Sequence, residues 1–205
     1  MVRSDAGSYH LGVRILLASS SPRRAELLKA AGYAFDVAPA DVDETPLPGE
    51  LPEVYVARLA AAKANVTVNT SSDCVVLGAD TAVLVDGTIF GKPLDDANAA
   101  AMLRQLSGRS HEVLTGVSMR YGSQRVGTVD RTVVHVAFLR PEDIAWYVAS
   151  GEPRGKAGGY AIQGLAARFI DRIEGSYSNV MGLPLSVVRR LLSDLGFNEP
   201  EIQDS

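Results

Sequence analysis

The dipeptide Asp86-Gly87 constrains the fold of this chain more than any other feature. It separates two short apolar segments, residues 82–85 and 88–90, and Asp-Gly at such a position is typical of a two-residue β-hairpin turn. The apolar run 75–79 precedes the hairpin and is predicted to be a buried strand that ends at an acid, Asp80. After the hairpin, Lys92 returns close to that acid. A carboxylate that can hold a cation and a lysine that can hold an anion together indicate a metal and phosphate site.

The rest of the chain alternates between helical and strand patterns. Apolar residues recur at helical spacing, between start and stop signals, in five predicted helices: residues 22–31, 53–65, 95–106, 141–150 and 184–195. β-rich runs bounded by turn residues predict further strands over residues 13–18, 35–38, 112–121, 125–139 and 169–174. The glycine-rich residues 151–164 are expected to be the loosest stretch, and residues 175–179 a polar turn. We therefore expect an α+β fold, or an α/β fold with a mixed, antiparallel-rich sheet.

The size and charge of the chain exclude several classes of protein. Its 205 residues suffice for a single domain, which we place at residues 13–205, and residues 1–12 are expected to be a disordered N-terminal extension. The net charge of −4 argues against general binding of nucleic acid or anionic membranes, so a bound anion must be held by a local site. No apolar run approaches the length of a membrane-spanning helix, and the N-terminus lacks an apolar signal segment. We expect a cytoplasmic location.

The cysteine and the histidines of the sequence do not form a pattern typical of a metal site. Cys74 is the only cysteine, which excludes an intramolecular disulfide and a zinc site built from several thiolates. The three histidines are scattered without ligand spacing. The sequence also lacks the common phosphate-binding and hydrolase motifs. Neither glycine–lysine pair fits a P-loop, and no G-x-G-x-x-G or G-x-S-x-G sequence occurs. The chemistry must come from polar residues at the ends of predicted elements.

Ser19, Arg23 and Arg24 lie at the predicted start of the first helix. Backbone N–H groups, hydroxyls and guanidinium groups at a helix start can all bind phosphate oxygens. The alternative is an ordinary helix cap with two solvated arginines. The residues alone leave both interpretations open.

Two acids, Glu44 and Asp80, each follow a predicted strand. Mg²⁺ takes one or two protein carboxylates and completes its shell with water and substrate phosphates, so this pair could hold it. Lys63 lies on the apolar side of its predicted helix, and Lys92 follows a glycine that lets a ligand approach closely. A solvated turn acid is the alternative for Glu44, and a buried stem with an exposed head for Lys63. Together these charges suit a nucleoside triphosphate, whose phosphoryl transfer depends on positioning and charge neutralisation.

A series of short motifs covers residues 13–196 in a fixed order. They are Leu17-Ala18-Ser19-Ser20-Ser21-Pro22-Arg23-Arg24, Val42-Asp43-Glu44, Gly78-Ala79-Asp80-Thr81, Gly91-Lys92-Pro93, Leu106-Ser107-Gly108, Gly155-Lys156-Ala157-Gly158, Tyr160-Ala161-Ile162-Gln163-Gly164, and Gly175-Ser176 with residues 180–184. In this order the chain resembles the Maf family of nucleotide pyrophosphatases. Residues 1–12 and the last few residues lie outside the resemblance.

The resemblance implies a fold similar to the house-cleaning inosine triphosphatases, with an elongated mixed sheet and a cleft between two lobes. It implies hydrolysis of a nucleoside triphosphate between the α and β phosphates, with a divalent metal, Mg²⁺ or Mn²⁺. It also implies roles for individual residues: Asp80 as proton acceptor for water or metal ligand, Glu44 as metal or water partner, and Ser19, Arg23, Arg24, Lys63 and Lys92 as phosphate contacts.

The resemblance also implies which residues select the base of the nucleotide: Arg23, Thr81 and Gln163. Members with Gly-Ala-Asp-Thr and Ile-Gln-Gly resemble the dTTP and UTP pyrophosphatases, whereas those that prefer 7-methyl-GTP carry different motifs. An amide such as Gln163 can both donate to and accept from a pyrimidine edge. Two alternatives stay open: a nucleotide-binding regulator of septum formation, and a purine-selective triphosphatase of the inosine type. The expected partner is the triphosphate substrate, without nucleic acid or membrane, and a homodimer is left open.

Overall fold

A computed structural model describes residues 14–66 and 74–197 of the chain. Within these ranges no helix is long and apolar enough to cross a membrane. The expected extension, residues 1–12, lies outside the described residues, and a single domain over residues 13–205 stays a prediction.

One mixed sheet contains the seven strands of the described residues. In chain order they are β1 (Arg14–Leu17), β2 (Phe35–Val37), β3 (Cys74–Val85), β4 (Thr88–Phe90), β5 (Ser110–Tyr121), β6 (Gln124–Val136) and β7 (Ile170–Glu174). Their spatial order is β2-β1-β3-β5-β6-β7, with β4 paired to the end of β3. β1 is parallel to β2 and β3, and the other pairs are antiparallel. The expected mixed, antiparallel-rich sheet is confirmed, and so is the hairpin at Asp86-Gly87.

Helices flank this sheet, and each of the five predicted helices is confirmed. The helices are α1 (Pro22–Ala30), α2 (Pro52–Val66), α3 (Asp96–Leu106), α4 (Pro141–Ala149), α5 (Tyr177–Met181) and α6 (Leu185–Asp194), with 3₁₀ turns at Ala157–Gly159 and Leu165–Phe169. The prediction of a polar turn over residues 175–179 is wrong in part, because α5 begins there. Ser176 caps α5 by accepting from the backbone N–H of Asn179 at 3.2 Å, and Asn179 is buried.

Strand β3 differs from its prediction in one respect that matters for the site. The sequence predicts two segments, residues 75–79 and 82–85, with Asp80 at the end of the first. In the structure β3 is continuous, and its pairing with β5 includes Asp80 opposite Gly116. The prediction that Asp80 ends a strand is therefore wrong. The acid lies in the middle of the sheet, where its charge needs a partner.

Helix α2 packs closely on the sheet because two glycines face it. A methyl group at Gly78 of β3 would lie 2.2 Å from the carbonyl oxygen of Ala60. One at Gly116 of β5 would lie 2.3 Å from the carbonyl oxygen of Val56. Both distances are far below van der Waals contact, so a side chain at either position would push the helix away. The close packing lets Lys63, near the end of α2, reach the middle of β3.

The two largest of the four apolar clusters in the described residues lie on either side of the middle of β3. One joins β1, α1 and α6 to the first half of β3, through residues such as Leu17, Leu77 and Val188. The other joins α3 and α4 to the second half, through residues such as Val83 and Leu103. The polar residues in the middle of β3 therefore lie between two packed apolar regions.

Candidate active site

A pocket of about 410 Å³ opens over the middle of β3. The nine residues predicted from the sequence all line it: Ser19, Arg23, Arg24, Glu44, Lys63, Asp80, Thr81, Lys92 and Gln163. They come from the start of α1, the loop after β2, α2, β3, the loop after β4 and the loop before the second 3₁₀ turn. The fold thus brings together residues that are far apart in the chain.

Lys63 bridges two acids in this pocket. Its ammonium donates to Glu44 Oε1 at 2.6 Å and to Asp80 Oδ1 at 2.7 Å. The side chains of Lys63 and Asp80 are 9 % and 11 % exposed, whereas that of Glu44 is 49 % exposed. The exposed head considered as an alternative for Lys63 is therefore wrong. Because one ammonium donates to both carboxylates, it offsets part of the repulsion between the two acids and lets them lie close together.

The two carboxylates have pKa values shifted in opposite directions. Burial raises the pKa of Asp80, although the charges of Lys63 and Arg24 partly offset this effect. Burial also acts on Glu44, but the hydrogen bond and charge of Lys63 and the charge of Lys92 outweigh it and lower the pKa of Glu44. Paired carboxylates with separated pKa values are suited to acid–base work, since one group takes up a proton while the other stays ionised.

Helix α2 also holds the loop that carries Glu44. Contrary to the prediction, Glu44 does not end a strand, because β2 stops well before it. The Tyr55 hydroxyl donates to the carbonyl oxygen of Glu44 at 3.0 Å. Farther along the loop, the Arg58 guanidinium donates to both carboxylate oxygens of Glu50, at 2.6 and 2.7 Å. The helix that supplies the bridging lysine thus positions one of its acids as well.

Arg24 is buried at the wall of the pocket, and its guanidinium contacts three groups of the protein. Nη1 donates to Ser19 Oγ at 2.9 Å, Nη2 to Thr81 Oγ1 at 3.1 Å and Nε to the carbonyl oxygen of Gly182 at 2.8 Å. A solvated side chain, the alternative for this arginine, is therefore wrong. Its charge still acts on Asp80. A direct contact between Arg24 and phosphate stays a prediction.

The two hydroxyls bound to Arg24 differ in what they can offer a ligand. Ser19 Oγ accepts from Arg24 and from the backbone N–H of Ser21 at 3.2 Å, so its own proton can be donated into the pocket. Thr81 Oγ1 lies 3.0 Å from Thr115 Oγ1 and 3.4 Å from the carbonyl oxygen of Gly182. Its hydroxyl is engaged by the protein, and its role in base choice stays a prediction.

The lining residues outside the predicted set include Tyr55, Lys156 and Tyr160. Lys156 follows a glycine, as Lys92 does, and burial lowers its pKa. Tyr160 begins the motif that contains Gln163, and its hydroxyl lies 2.7 Å from His111 Nε2. No signal identifies Tyr55, since it has the spacing of an ordinary helix residue.

The donor set of the pocket fits a hard divalent cation held partly by its substrate. Among residues 14–66 and 74–197, no group of three or more His, Cys, Asp or Glu side chains forms a complete metal centre. Glu44 and Asp80 offer two carboxylates beside a pocket lined by serine, arginine and lysine. Mg²⁺ and similar ions accept that arrangement, with water and phosphate oxygens as the other ligands.

Comparison with known proteins adds to the evidence from the geometry of the pocket. A family model described as "Maf-like protein" matches residues 14–195. A dTTP/UTP pyrophosphatase of Geobacter sulfurreducens is 51% identical over 186 residues, 89% of this chain and 97% of the relative. Relatives with the same name in Anaeromyxobacter dehalogenans and Methylobacillus flagellatus are 51% and 50% identical. They cover 91% and 93% of this chain, and 96% and 97% of their own lengths.

One solved structure supports the fold. The Ham1 protein of Staphylococcus aureus has a TM-score of 0.50 and 15% sequence identity, over 89% of this chain and 99% of that chain. At this identity the likeness concerns the fold alone. The family model and the relatives, in contrast, match nearly the whole described sequence, so this chain belongs to the Maf family.

Proposed function

We propose that this chain hydrolyses dTTP and UTP between the α and β phosphates, to give the nucleoside monophosphate and pyrophosphate. The bridge from Lys63 to Glu44 and Asp80, in a pocket lined by serine, arginine and lysine, is the observation that carries the proposal. The relatives that are about half identical over most of the chain are named dTTP/UTP pyrophosphatases.

The cations of the pocket would bind and orient the triphosphate. Ser19 can donate its hydroxyl proton, and Arg23 and Lys92 line the wall around the acids. Arg24 acts by fixing Ser19 and by adding positive charge near Asp80. Positioning and charge neutralisation are the main requirements of phosphoryl transfer, so these residues supply most of what the reaction needs.

Asp80 would accept the proton of the attacking water. The water oxygen bonds to the α phosphorus, the bond from that phosphorus to the bridging oxygen breaks, and pyrophosphate leaves with the electron pair. Burial raises the pKa of Asp80, which makes its carboxylate a stronger base, and the charge of the nearby Lys63 favours its ionised form. Lys63 would also donate toward the negative charge that develops on the phosphate oxygens.

Glu44 and Asp80 would hold the divalent metal, Mg²⁺ or Mn²⁺. The lowered pKa of Glu44 and its half-exposed side chain suit a ligand that stays ionised and can be reached from the pocket. When bound, the metal would neutralise phosphate charge.

Base choice would depend on Gln163, with Arg23 and Thr81 nearby. Gln163 is exposed at the rim of the pocket, on the loop that precedes the second 3₁₀ turn. Its amide can match the donor and acceptor of a thymine or uracil edge. We also keep the cytoplasmic location and a homodimer as predictions.

The two alternative functions are a nucleotide-binding regulator of septum formation and a purine-selective triphosphatase of the inosine type. The bridged pair of acids with separated pKa values favours catalysis over binding alone. The names of the relatives favour pyrimidine substrates over ITP.

A substrate panel tests the proposal. Purified chain with Mg²⁺ or Mn²⁺ is given dTTP, UTP, CTP, GTP, ATP, ITP and 7-methyl-GTP, and pyrophosphate release is measured. The proposal predicts metal-dependent release of pyrophosphate, with the highest kcat/KM for dTTP and UTP. Preference for ITP would support the purine-selective alternative, and binding without turnover would support the regulator.

A further inference from the structure

The segment that carries Gln163 to the pocket depends on contacts with other parts of the fold. It lies between the two 3₁₀ turns and pairs with no strand of the sheet. At its start, the backbone N–H of Gly158 donates to the carbonyl oxygen of Gly91 at 3.0 Å. The Tyr160 hydroxyl, 2.7 Å from His111, adds a second anchor. The residues on either side of Gln163 are held by a third.

The third anchor is the carboxylate of Glu152, which follows α4. Its Oε2 accepts from the backbone N–H of Leu165 at 2.9 Å, and its Oε1 from that of Ala166 at 3.3 Å. Oε1 also accepts from the Tyr147 hydroxyl at 2.8 Å. A single side chain therefore satisfies the two backbone donors at the start of the second 3₁₀ turn, two and three residues after Gln163.

Tyr147 extends the same anchor to the other side of Gln163. Its hydroxyl accepts from the backbone N–H of Ala161 at 3.3 Å while it donates to Glu152. Burial and the hydrogen bond to Glu152 raise the pKa of Tyr147, so the phenol keeps the proton that it donates. The carboxylate thus acts on both sides of residues 162–164, through Tyr147 at Ala161 and directly at Leu165 and Ala166.

The packing around Glu152 leaves this stretch little freedom. A methyl group at Gly164 would lie 2.3 Å from Glu152 Oε2, so the carboxylate would have to shift to admit a side chain there. Ile162 and Ala166 are buried in the apolar cluster that contains Tyr147. Gln163, in contrast, is exposed at the pocket. The backbone is therefore fixed while the amide projects outward.

We propose that Glu152 is a positioning residue for base selection. By holding the backbone on both sides of Gln163, its carboxylate sets the place at which that amide meets the base. Glu152 does not line the pocket itself; it acts through the loop and, through its charge, on Lys156, which does line the pocket. The inference rests on the proposed pyrophosphatase function and adds a residue to its specificity.

The Glu152→Gln variant tests this role, because it keeps the volume but leaves one acceptor oxygen where the carboxylate has two. We expect KM for dTTP and UTP to rise about tenfold, as befits the loss of one or two hydrogen bonds, while kcat changes by less than about twofold. The preference for dTTP over ATP should fall with it. Glu142→Gln is the matched control, since Glu142 is an exposed acid of α4 whose ion pair within the described part of the chain is with Arg140, at 3.5 Å.

A second variant, Tyr147→Phe, removes one donor to the carboxylate and the acceptor of Ala161 but keeps the buried ring. It should change KM in the same direction by a smaller factor, and the double variant should be less than additive because both act through one network. This variant carries the test if Glu152→Gln melts below the assay temperature. Hydrogen exchange should show faster exchange at Leu165 and Ala166 in Glu152→Gln.

The outcomes separate this inference from the proposed function. If the wild-type chain hydrolyses dTTP, while Glu152→Gln and Tyr147→Phe keep its KM and base preference, the inference is overturned and the function stands. An equal fall of kcat for every nucleotide, with KM unchanged, also overturns it, because that pattern indicates damage to the catalytic groups. A wild-type chain that hydrolyses no triphosphate overturns both.

Discussion

Lys63 and Asp80 form a buried ion pair that joins α2 to the middle of β3. The ammonium and the carboxylate are 2.7 Å apart, and their side chains are only 9 % and 11 % exposed. Breaking such a pair by removing one partner leaves an uncompensated charge, which typically costs about 3–5 kcal/mol. The same pair controls the charge of the proposed base, so stability and activity are coupled at this point.

Replacing the bridging lysine should alter both the rate and its pH dependence. In Lys63→Met we expect kcat/KM to fall about a hundredfold or more, as for the loss of a donor to a developing charge. Lys63 favours the ionised form of Asp80, so its removal should raise the pKa of Asp80 further. The acidic limb of the pH–rate profile should then move to higher pH, because the base must be ionised to accept a proton.

The control for this variant is Lys29→Met, an exposed lysine at the end of α1. It should leave kcat/KM and the profile unchanged. A Lys63→Met enzyme with a wild-type acidic limb would mean that Asp80 is not the group that titrates.

Gly116 sets the distance between α2 and the sheet. The Gly116→Ala variant would place a methyl group 2.3 Å from the carbonyl oxygen of Val56, so the helix must shift. Overpacking of this kind costs about 1–3 kcal/mol, and the shift should also weaken the contact of Lys63 with Asp80. The melting temperature and kcat/KM should both fall. Gly91→Ala, where the added methyl group meets open space, should leave the melting temperature unchanged.

His111 should make the protein sensitive to mild acid. Burial, followed by the charge of His135, lowers the pKa of His111 to about 4 from the ordinary value of 6.5. The unfolded chain therefore binds the proton at higher pH than the folded one, and stability should be full above about pH 6.5 and fall as the pH drops toward about 4. The loss due to this one group is about 3 kcal/mol.

Denaturant unfolding at several pH values measures this effect. His111→Phe should flatten the dependence between about pH 6.5 and pH 4, whatever its absolute stability, because the titrating group is gone. His135→Gln, which changes a partly exposed histidine, should retain most of the slope. An unchanged slope in His111→Phe would assign the acid sensitivity to other groups.

The sequence identifies the residues of the pocket better than it identifies their contacts. The hairpin at Asp86-Gly87 and the helices follow from local turn and capping chemistry, and both are confirmed. The continuous β3 does not follow, because its polar middle is stabilised by a partner strand and by Lys63, which are distant in sequence.

Contacts at the pocket depend on the same long-range packing. From the sequence, the Arg24 guanidinium is expected to be free to bind phosphate. In the structure it donates to Thr81 and Gly182, which only folding brings near it. The roles of Gly78 and Gly116 likewise depend on where α2 lies. Glu152 belongs to none of the motifs, and its role is evident only from the backbone groups that donate to it in the folded chain.

Substitution of Asp80 by asparagine is the most direct test of the account. Asp80→Asn keeps the shape of the side chain, and Lys63 keeps its contact with Glu44, so the fold should persist at reduced stability. Metal-dependent pyrophosphate release from dTTP should fall about 10²–10⁴-fold, as expected for loss of a general base. Asp171→Asn, an exposed acid on β7, should behave as wild type. A folded Asp80→Asn enzyme that releases pyrophosphate at a near-normal rate would contradict the central role given to Asp80.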